Sequence, residues 1–155
     1  MDLWAALATV GVLVAATAAL GAVWRRRDGR RRRGDGSVVD PADLPGRLAP
    51  RATFVQFSTE VCARCPQVRR MLSDLAIRHE GVGHIEVDLT RRTETAGRYR
   101  ILQTPTTLLV DAGCRIRSRF NGVPRPADLE AALAALPASA PRTASATRTA
   151  PQEIR

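Results

Sequence analysis

Three short apolar runs, each bounded by turn-forming residues, predict β-strands in the middle of the chain. They cover residues 53–58, 85–89 and 106–110. Between the first two runs, apolar residues recur at steps of three and four, which predicts an amphipathic helix. Its apolar face carries Val68, Met71, Leu72 and Leu75. A shorter helix is predicted around residues 92–99, so strands and helices alternate as in an α/β fold.

The end of this patterned region predicts a hairpin followed by a last helix. Residues 111–113, Asp-Ala-Gly, supply the turn. In residues 115–120, three arginines alternate with Ile116, Ser118 and Phe120, which is typical of a half-exposed edge strand. Pro126 is expected to begin the helix. The buried stripe of that helix is predicted to hold Leu129, Leu133 and Leu136.

The N-terminus holds an uncharged run of 22 residues, from Leu3 to Trp24. As a helix it would be about 33 Å long, enough to cross a hydrocarbon core of about 30 Å. Residues 1–24 are therefore predicted to be a transmembrane anchor. The alternative is a cleaved signal peptide, because Ala16-Thr17-Ala18 has the small-residue pattern of a cleavage site. The run is long for a signal peptide, and no Lys or Arg precedes it.

The net charge of +9 is concentrated directly after this run. Residues 25–33 contain seven arginines and one aspartate, whereas residues 53–136 contain twelve arginines and nine acidic residues. The one-sided block predicts an extracytoplasmic N-terminus and a cytoplasmic C-terminal region, and it should adhere to anionic headgroups. Because no basic face is evident and aromatic residues make up 4% of the chain, nucleic-acid binding is not predicted.

These patterns divide the chain into four parts. After the anchor, residues 25–51 are predicted to be an Arg-rich juxtamembrane segment and linker, because glycines and prolines interrupt them. A short helix within residues 42–48 is compatible with that segment. Residues 52–136 form the predicted domain, and residues 137–155 are expected to be a disordered tail rich in Ala, Pro, Thr and Ser.

Cys62 and Cys65 lie between the first predicted strand and the helix that follows it. A helix N-terminus carries a partial positive charge that favours a thiolate, and this spacing allows the two thiols to form a disulfide. Cys62 is predicted to be the exposed nucleophile and Cys65 the resolving thiol. Cys114, at the hairpin turn, is interpreted as an exposed thiol tolerated in a reducing compartment, with a third redox site as the alternative.

A zinc site is a competing interpretation of the same cysteines. Cys62, Cys65, His79 and His84 have the nominal spacing of a Cys₂His₂ site. However, two glycines separate the histidines, and the cysteines precede a helix instead of joining two strands. Tetrahedral convergence of the four ligands is therefore not expected, and no metal is predicted.

A second motif, Thr104-Pro105-Thr106, lies at the head of the third predicted strand. With the C-x-x-C motif and Gly122 in the last strand, it makes the chain resemble the thioredoxin superfamily from about Thr53 to Leu136. The resemblance implies a thioredoxin-like three-layer α/β sandwich. The core is expected to be minimal, because the family's usual first strand and helix are not evident before Thr53. The resemblance also implies that Pro105 is a cis-proline facing the cysteines and that the backbone of Thr104 pairs with the substrate.

The function implied by this resemblance is thiol–disulfide exchange through Cys62 and Cys65, without a cofactor. The expected partners are disulfide-bearing protein or small-molecule substrates, the membrane, and an electron donor such as a thioredoxin reductase. The alternative is a redox-weak docking module with a thioredoxin fold at the membrane.

The chain departs from the usual Trp-Cys-Gly-Pro-Cys pattern of the family. Val61 replaces the Trp, and Ala63-Arg64 replace Gly-Pro. Unless Arg64 faces solvent, its charge is expected to lower the pKa of Cys62, which makes the couple more oxidising. Gln56 occupies the position of the family's buried acid, and an amide cannot accept the proton of the resolving thiol. A water molecule or Glu60 would then have to accept it.

Overall fold

The computed structural model describes residues 3–27 and 29–137. Four helices lie at Leu3–Arg27 (α1), Cys65–Arg78 (α2), Thr93–Arg98 (α3) and Pro126–Ala134 (α4). Five strands lie at Arg31–Arg33 (β1), Ala52–Ser58 (β2), Val82–Asp88 (β3), Thr106–Asp111 (β4) and Ile116–Asn121 (β5). The strands form one sheet in the order β1-β5-β4-β2-β3. Strands β2 and β3 are parallel, and the other neighbouring pairs are antiparallel.

Apolar side chains cover both faces of this sheet. On one face, Phe54 and Phe120 pack with Leu72 of α2 and Leu129 of α4. On the other face, the core includes Val39, Val55, Phe57, Leu108 and Tyr99, with Ala96 of α3 packed against it. Helices α2 and α4 cover one face of the sheet, and α3 with the segment around Val39 covers the other. The predicted three-layer α/β fold is confirmed.

The predicted strands and helices are close to those observed. Strand β3 begins at Val82, three residues before the predicted start, because residues 82–84 pair in parallel with residues 52–54 of β2. Strand β2 is buried at all seven positions, which is typical of a central strand covered on both faces.

The prediction that residues 115–120 form an edge strand is wrong. Strand β5 pairs with β4 on one side and with β1 on the other, where Arg32 lies opposite Arg119. Arg119 is compatible with this interior position because its guanidinium donates to the carbonyl oxygens of Tyr99, at 2.7 Å, and Arg100, at 3.3 Å. The three arginines of β1 are exposed and form the edge instead.

Part of the predicted juxtamembrane segment and linker therefore belongs to the sheet. Beyond β1, the Gly34 N–H donates to the Arg117 carbonyl at 2.9 Å, and the Val39 N–H donates to the Cys114 carbonyl at 2.7 Å. Val39 is fully buried. The charge and glycine content of this segment did not predict β1. Long arginine side chains can stay in solvent at a sheet edge while their backbone forms the hydrogen bonds of the ladder.

The short helix considered within residues 42–48 is instead a 3₁₀ helix at Pro41–Asp43. Its N-cap Asp40 accepts a hydrogen bond from the Ala42 N–H at 2.9 Å. The Tyr99 hydroxyl donates to Asp43 at 2.6 Å and accepts from the Asp40 N–H at 3.0 Å. Burial and the Asp43 carboxylate raise the pKa of Tyr99 to about 12, so this link between the segment and the domain stays neutral.

We expect Gly34→Ala to lower the free energy of unfolding by about 1–3 kcal/mol, the usual cost of overpacking. A Cβ at Gly34 would lie 2.1 Å from the carbonyl oxygen of Ile116, so β1 would have to move away from β5. Gly46→Ala is the matched control, because its Cβ would meet only the Ile85 side chain, at 3.7 Å. Urea unfolding measures both variants. Equal stability of the two would show that the β1 segment does not contribute to the fold.

Helix α1 is long and apolar enough from Leu3 to Val23 to cross a membrane. Trp4 is 82% exposed, and the large apolar side chains along the span are also exposed. A membrane span and a signal sequence both have these properties. The predicted disordered tail lies outside the described residues from position 138 onward.

Candidate active site

Cys62 and Cys65 form a disulfide at the N-terminus of α2, with Cα atoms 5.5 Å apart. Cys65 is the first residue of the helix and is 2% exposed, whereas Cys62 lies in the preceding loop and is half-buried. Cys62 is therefore the more exposed residue of the two.

The loop before the helix is held by its own backbone. The Cys62 N–H donates to the Thr59 carbonyl at 3.1 Å, and the Cys65 N–H donates to the Cys62 carbonyl at 3.2 Å. Pro66 follows as the second helical residue, where a missing N–H has no cost because first-turn N–H groups have no intrahelical acceptor. The remaining N–H groups and the helix dipole favour negative charge at this end of α2.

The Thr104–Pro105 loop lies beside the cysteine loop. The Thr104–Pro105 peptide bond is cis. The Gly122 N–H donates to the Pro105 carbonyl at 2.7 Å, which ties the loop to the end of β5. The hydroxyl oxygens of Thr104 and Thr59 are 3.3 Å apart, so the segments that precede β4 and follow β2 are in contact.

Gln56 lies beneath the disulfide and is fully buried. Its Nε2 donates to the Cys65 carbonyl at 3.0 Å, and its Oε1 lies 3.2 Å from Nε2 of His84. An amide oxygen only accepts, so His84 donates from Nε2. Nδ1 of His84 then accepts from the Ser73 hydroxyl of α2, 3.1 Å away. The three side chains form one hydrogen-bonded chain from α2 to the backbone of Cys65.

Sequence reasoning considered His84 only as a ligand of the alternative zinc site and missed its contact with Gln56. Burial lowers its pKa, and Arg69 adds to that effect while Glu86 opposes it, so the imidazole is neutral. Burial acts to raise the pKa of Glu86, but hydrogen bonds from Arg69 and Ser58 outweigh it and lower that pKa. No local sequence signal marks this role, because it depends on the parallel register that places His84 opposite Phe54 and Glu86 opposite Gln56.

The other residues singled out by sequence are at the rim of this site. Arg64 is exposed and occupies the N-cap position of α2, directly before Cys65. Val61 is 93% exposed beside Cys62. Glu60 is exposed, and its N–H donates to the Thr90 hydroxyl at 3.1 Å.

The four residues of the alternative zinc site do not converge. The cysteines bond to each other, His84 contacts Gln56 and Ser73, and His79 lies 2.8 Å from a carboxylate oxygen of Glu130. Within the described residues, no group of three or more His, Cys, Asp or Glu side chains is arranged to hold a metal ion.

Cys114 is a partly exposed free thiol in the turn between β4 and β5. It has a positive φ of 63° and donates its N–H to the Asp111 carbonyl at 3.0 Å. Strands β4 and β5 separate this turn from the Pro105 loop, so Cys114 lies at the opposite end of the sheet from Cys62.

Comparison with known proteins gives matches over the same region. The Thioredoxin family model matches residues 47–135, more than half of the chain. Similar solved structures include mitochondrial thioredoxin 3 from Saccharomyces cerevisiae in its oxidized form, with 20% identity, a TM-score of 0.49 and coverage of 57% of this chain and 82% of that chain. The Fasciola hepatica thioredoxin is 23% identical, with a TM-score of 0.48 and coverage of 56% and 82%. No curated protein matches the chain.

Proposed function

The chain belongs to the thioredoxin family, and on that premise we propose that it is a thiol–disulfide oxidoreductase that acts through Cys62 and Cys65. The observation that carries the proposal is the Cys62–Cys65 disulfide at the N-terminus of α2. The adjacent Thr104–Pro105 loop supports it, because thioredoxin-fold enzymes use this loop to bind the substrate chain.

The geometry supports distinct roles for the two cysteines. In the reducing direction, the Cys62 thiolate attacks one sulfur of a substrate disulfide and forms a mixed disulfide, while the other substrate sulfur leaves as a thiolate. Cys65 then loses its proton and attacks Cys62, which releases the second substrate thiolate and forms the disulfide of this structure. Two electrons pass from the dithiol to the substrate, and a dithiol donor of the thioredoxin-reductase class has to restore the dithiol.

The proposal is tested on the full chain in detergent micelles, with a short fluorogenic peptide that contains one disulfide. With the dithiol regenerated by a thioredoxin reductase and NADPH, we expect catalytic cleavage of the peptide that depends on both cysteines. A rate no higher than that of the uncatalysed exchange would contradict the proposal. It would favour the alternative of a redox-weak docking module, to which Gln56 in place of the family's buried acid also points.

In the proposed exchange, Gln56 and His84 position the backbone of the resolving cysteine. The Gln56 amide holds the Cys65 carbonyl, and His84 holds the amide in that orientation by donating to its oxygen. Gln56 is fully buried, and His84 of β3 is half-buried with its imidazole against Ser73 of α2. The pair thus fixes the start of α2, and with it the resolving cysteine, without a buried negative charge.

We expect Arg64→Gln to make the Cys62 thiolate less stable, because it removes a positive charge two residues away along the chain. For each unit by which the Cys62 pKa rises, the free-energy change is about 1.4 kcal/mol, and the reduction potential becomes about 30 mV more negative. Thiolate absorbance against pH and equilibration with glutathione measure the two quantities. Arg70→Gln, the same change at another exposed position of α2, is the control. If both variants behave alike, Arg64 does not tune the couple.

We propose further that Leu3–Val23 anchors the chain in a membrane and that the domain faces the cytoplasm. The arginines of residues 25–33, on one side of the span only, support this orientation. An impermeant maleimide added to intact cells is expected to leave Cys62 and Cys114 unmodified, whereas a permeant maleimide should label both after reduction. Labelling of Cys62 by the impermeant reagent would place the domain outside the cytoplasm.

A further inference from the structure

The anchor joins the domain at the end of β5. Helix α1 ends at Arg27, and Asp28 alone separates it from Gly29. The Gly29 N–H donates to the Asn121 carbonyl at 2.6 Å. Gly29 has a φ of +75°, and a Cβ there would lie 2.0 Å from the Val123 carbonyl oxygen, so the chain is packed closely against the domain at this point.

The same end of the sheet carries the two cysteines. Asn121 pairs with Thr106, and the next residue, Gly122, donates to the Pro105 carbonyl at 2.7 Å. Thr106 in turn pairs with Phe57, near the end of the strand that leads to Cys62. From β1 across β5 and β4 to β2 there are three strand spacings, about 14 Å. Cys62 therefore lies at the same end of the sheet as the attachment point, displaced by these three strand spacings.

Only a short length of chain separates the apolar span from this end of the sheet. The apolar span ends at Val23, and the helix continues to Arg27. The helix rises about 6 Å from Val23 to Arg27, and two further residues span at most about 7 Å, so Gly29 is at most about 13 Å from Val23. Cys114 follows β4 at the far end of β5, about 20 Å from the attachment point along six strand residues. Arg30 and the arginines of β1 are exposed near the attachment point, where anionic headgroups would attract them.

We propose that this chain acts on disulfides held at the membrane surface, in short extramembrane segments of membrane-embedded proteins on the same side as the domain. The inference rests on the proposed exchange activity and anchor. A folded domain of 100 residues has a radius of gyration of about 13 Å, so its diameter exceeds the tether of at most about 13 Å between the apolar span and Gly29. An extended segment at the membrane surface needs less room than a folded domain. Confinement of enzyme and substrate to one surface also raises their effective concentration.

The position of the site is tested without reference to activity. The full chain is placed in lipid vesicles with a donor dye on one cysteine, and short-range acceptor dyes are attached to the lipid headgroups. A dye on Cys62, in the variant with Cys65→Ser and Cys114→Ser, is expected to transfer energy efficiently. A dye on Cys114, in the variant with Cys62→Ser and Cys65→Ser, is expected to transfer little. Equal transfer from the two positions, or greater transfer from Cys114, would overturn the proposed geometry.

Substrate choice is tested with the disulfide peptide of the activity assay, either free or linked to a lipid by a short spacer. In vesicles, the native chain is expected to cleave the lipid-linked peptide at least about tenfold faster than the free one at equal total concentration. It should act poorly on a folded soluble protein whose disulfide is exposed. Equal rates on the free and linked peptides would overturn the inference, whereas failure on both, and also in detergent, would overturn the proposed function.

A variant with a longer tether between the anchor and the domain is compared with the native chain. Twenty Gly and Ser residues inserted between Asp28 and Gly29 give an added root-mean-square reach of about 25 Å and leave the contacts of Gly29 in place. This variant is expected to gain at least about tenfold on the folded soluble protein, because that protein can now reach the site. No gain would show that the short tether does not select the substrate.

Discussion

Cys65→Ser is expected to accumulate mixed disulfides with substrates on Cys62, while Cys62→Ser accumulates none. In both variants catalytic turnover should be lost, because one of the two exchange steps has no thiolate. The reason for the asymmetry is burial, since Cys65 is 2% exposed at the start of α2 and Cys62 lies in the accessible loop. Non-reducing electrophoresis after incubation with the disulfide peptide, followed by mass spectrometry of the adduct, measures the effect.

The third cysteine of the chain provides the control. Cys114→Ser removes a thiol at the opposite end of the sheet from the disulfide, so turnover and trapping should remain at native levels. Adducts on Cys65 in the Cys62→Ser variant, in amounts equal to those on Cys62, would reverse the assignment of nucleophile and resolving thiol. Loss of turnover in Cys114→Ser would mean that the third thiol takes part in the exchange.

Gln56→Asp is expected to weaken the fold and speed the resolving step at the same time. The change removes the hydrogen bond to the Cys65 carbonyl, worth about 1 kcal/mol, and places a carboxyl group at a fully buried position. Burial raises the pKa of a carboxyl group, and each unit corresponds to about 1.4 kcal/mol. A rise of about two units would therefore cost about 3 kcal/mol at neutral pH.

The pH dependence of this cost has a definite sign. Below about pH 3.9 the introduced carboxyl is protonated in both folded and unfolded chains, so no charge is buried. As the pH rises above that value, the unfolded chain gives up the proton while the folded chain keeps it. The free energy of unfolding relative to the native chain then falls until the pH passes the raised pKa. Above that pH, the carboxylate can accept the Cys65 proton, which is why resolution should be faster.

Gln56→Asn separates the effect of the introduced charge from the effect of the shorter side chain. It has the shape of the aspartate variant but can neither ionise nor take a proton, so its stability loss should be independent of pH. Urea unfolding at several pH values and single-turnover cleavage of the disulfide peptide compare the two variants. If Gln56→Asp resolves the mixed disulfide no faster than Gln56→Asn, the native site already contains another proton acceptor.

The prediction of the fold from sequence succeeded where local pattern and tertiary contact agree. The apolar runs at residues 53–58 and 106–110 became central strands, and the three- and four-residue spacing after Cys65 became the buried face of α2. It failed at β1, because nothing in an arginine-rich segment distinguishes a solvated linker from an edge strand. The backbone partner that makes the difference, β5, is more than eighty residues away along the chain.

The sequence by itself determined the candidate chemistry of this protein. Two cysteines at C-x-x-C spacing before a helix, and a Thr-Pro pair before a later strand, predict the proposed reactive atoms and the loop beside them, because both signals are local. Tertiary structure alone decided what surrounds them. Pairing between distant strands brings His84 to Gln56 and joins the end of the apolar helix to the end of the sheet at which Cys62 lies. These contacts depend on strand register, which is set by the packing of the whole core and which no short stretch of sequence contains.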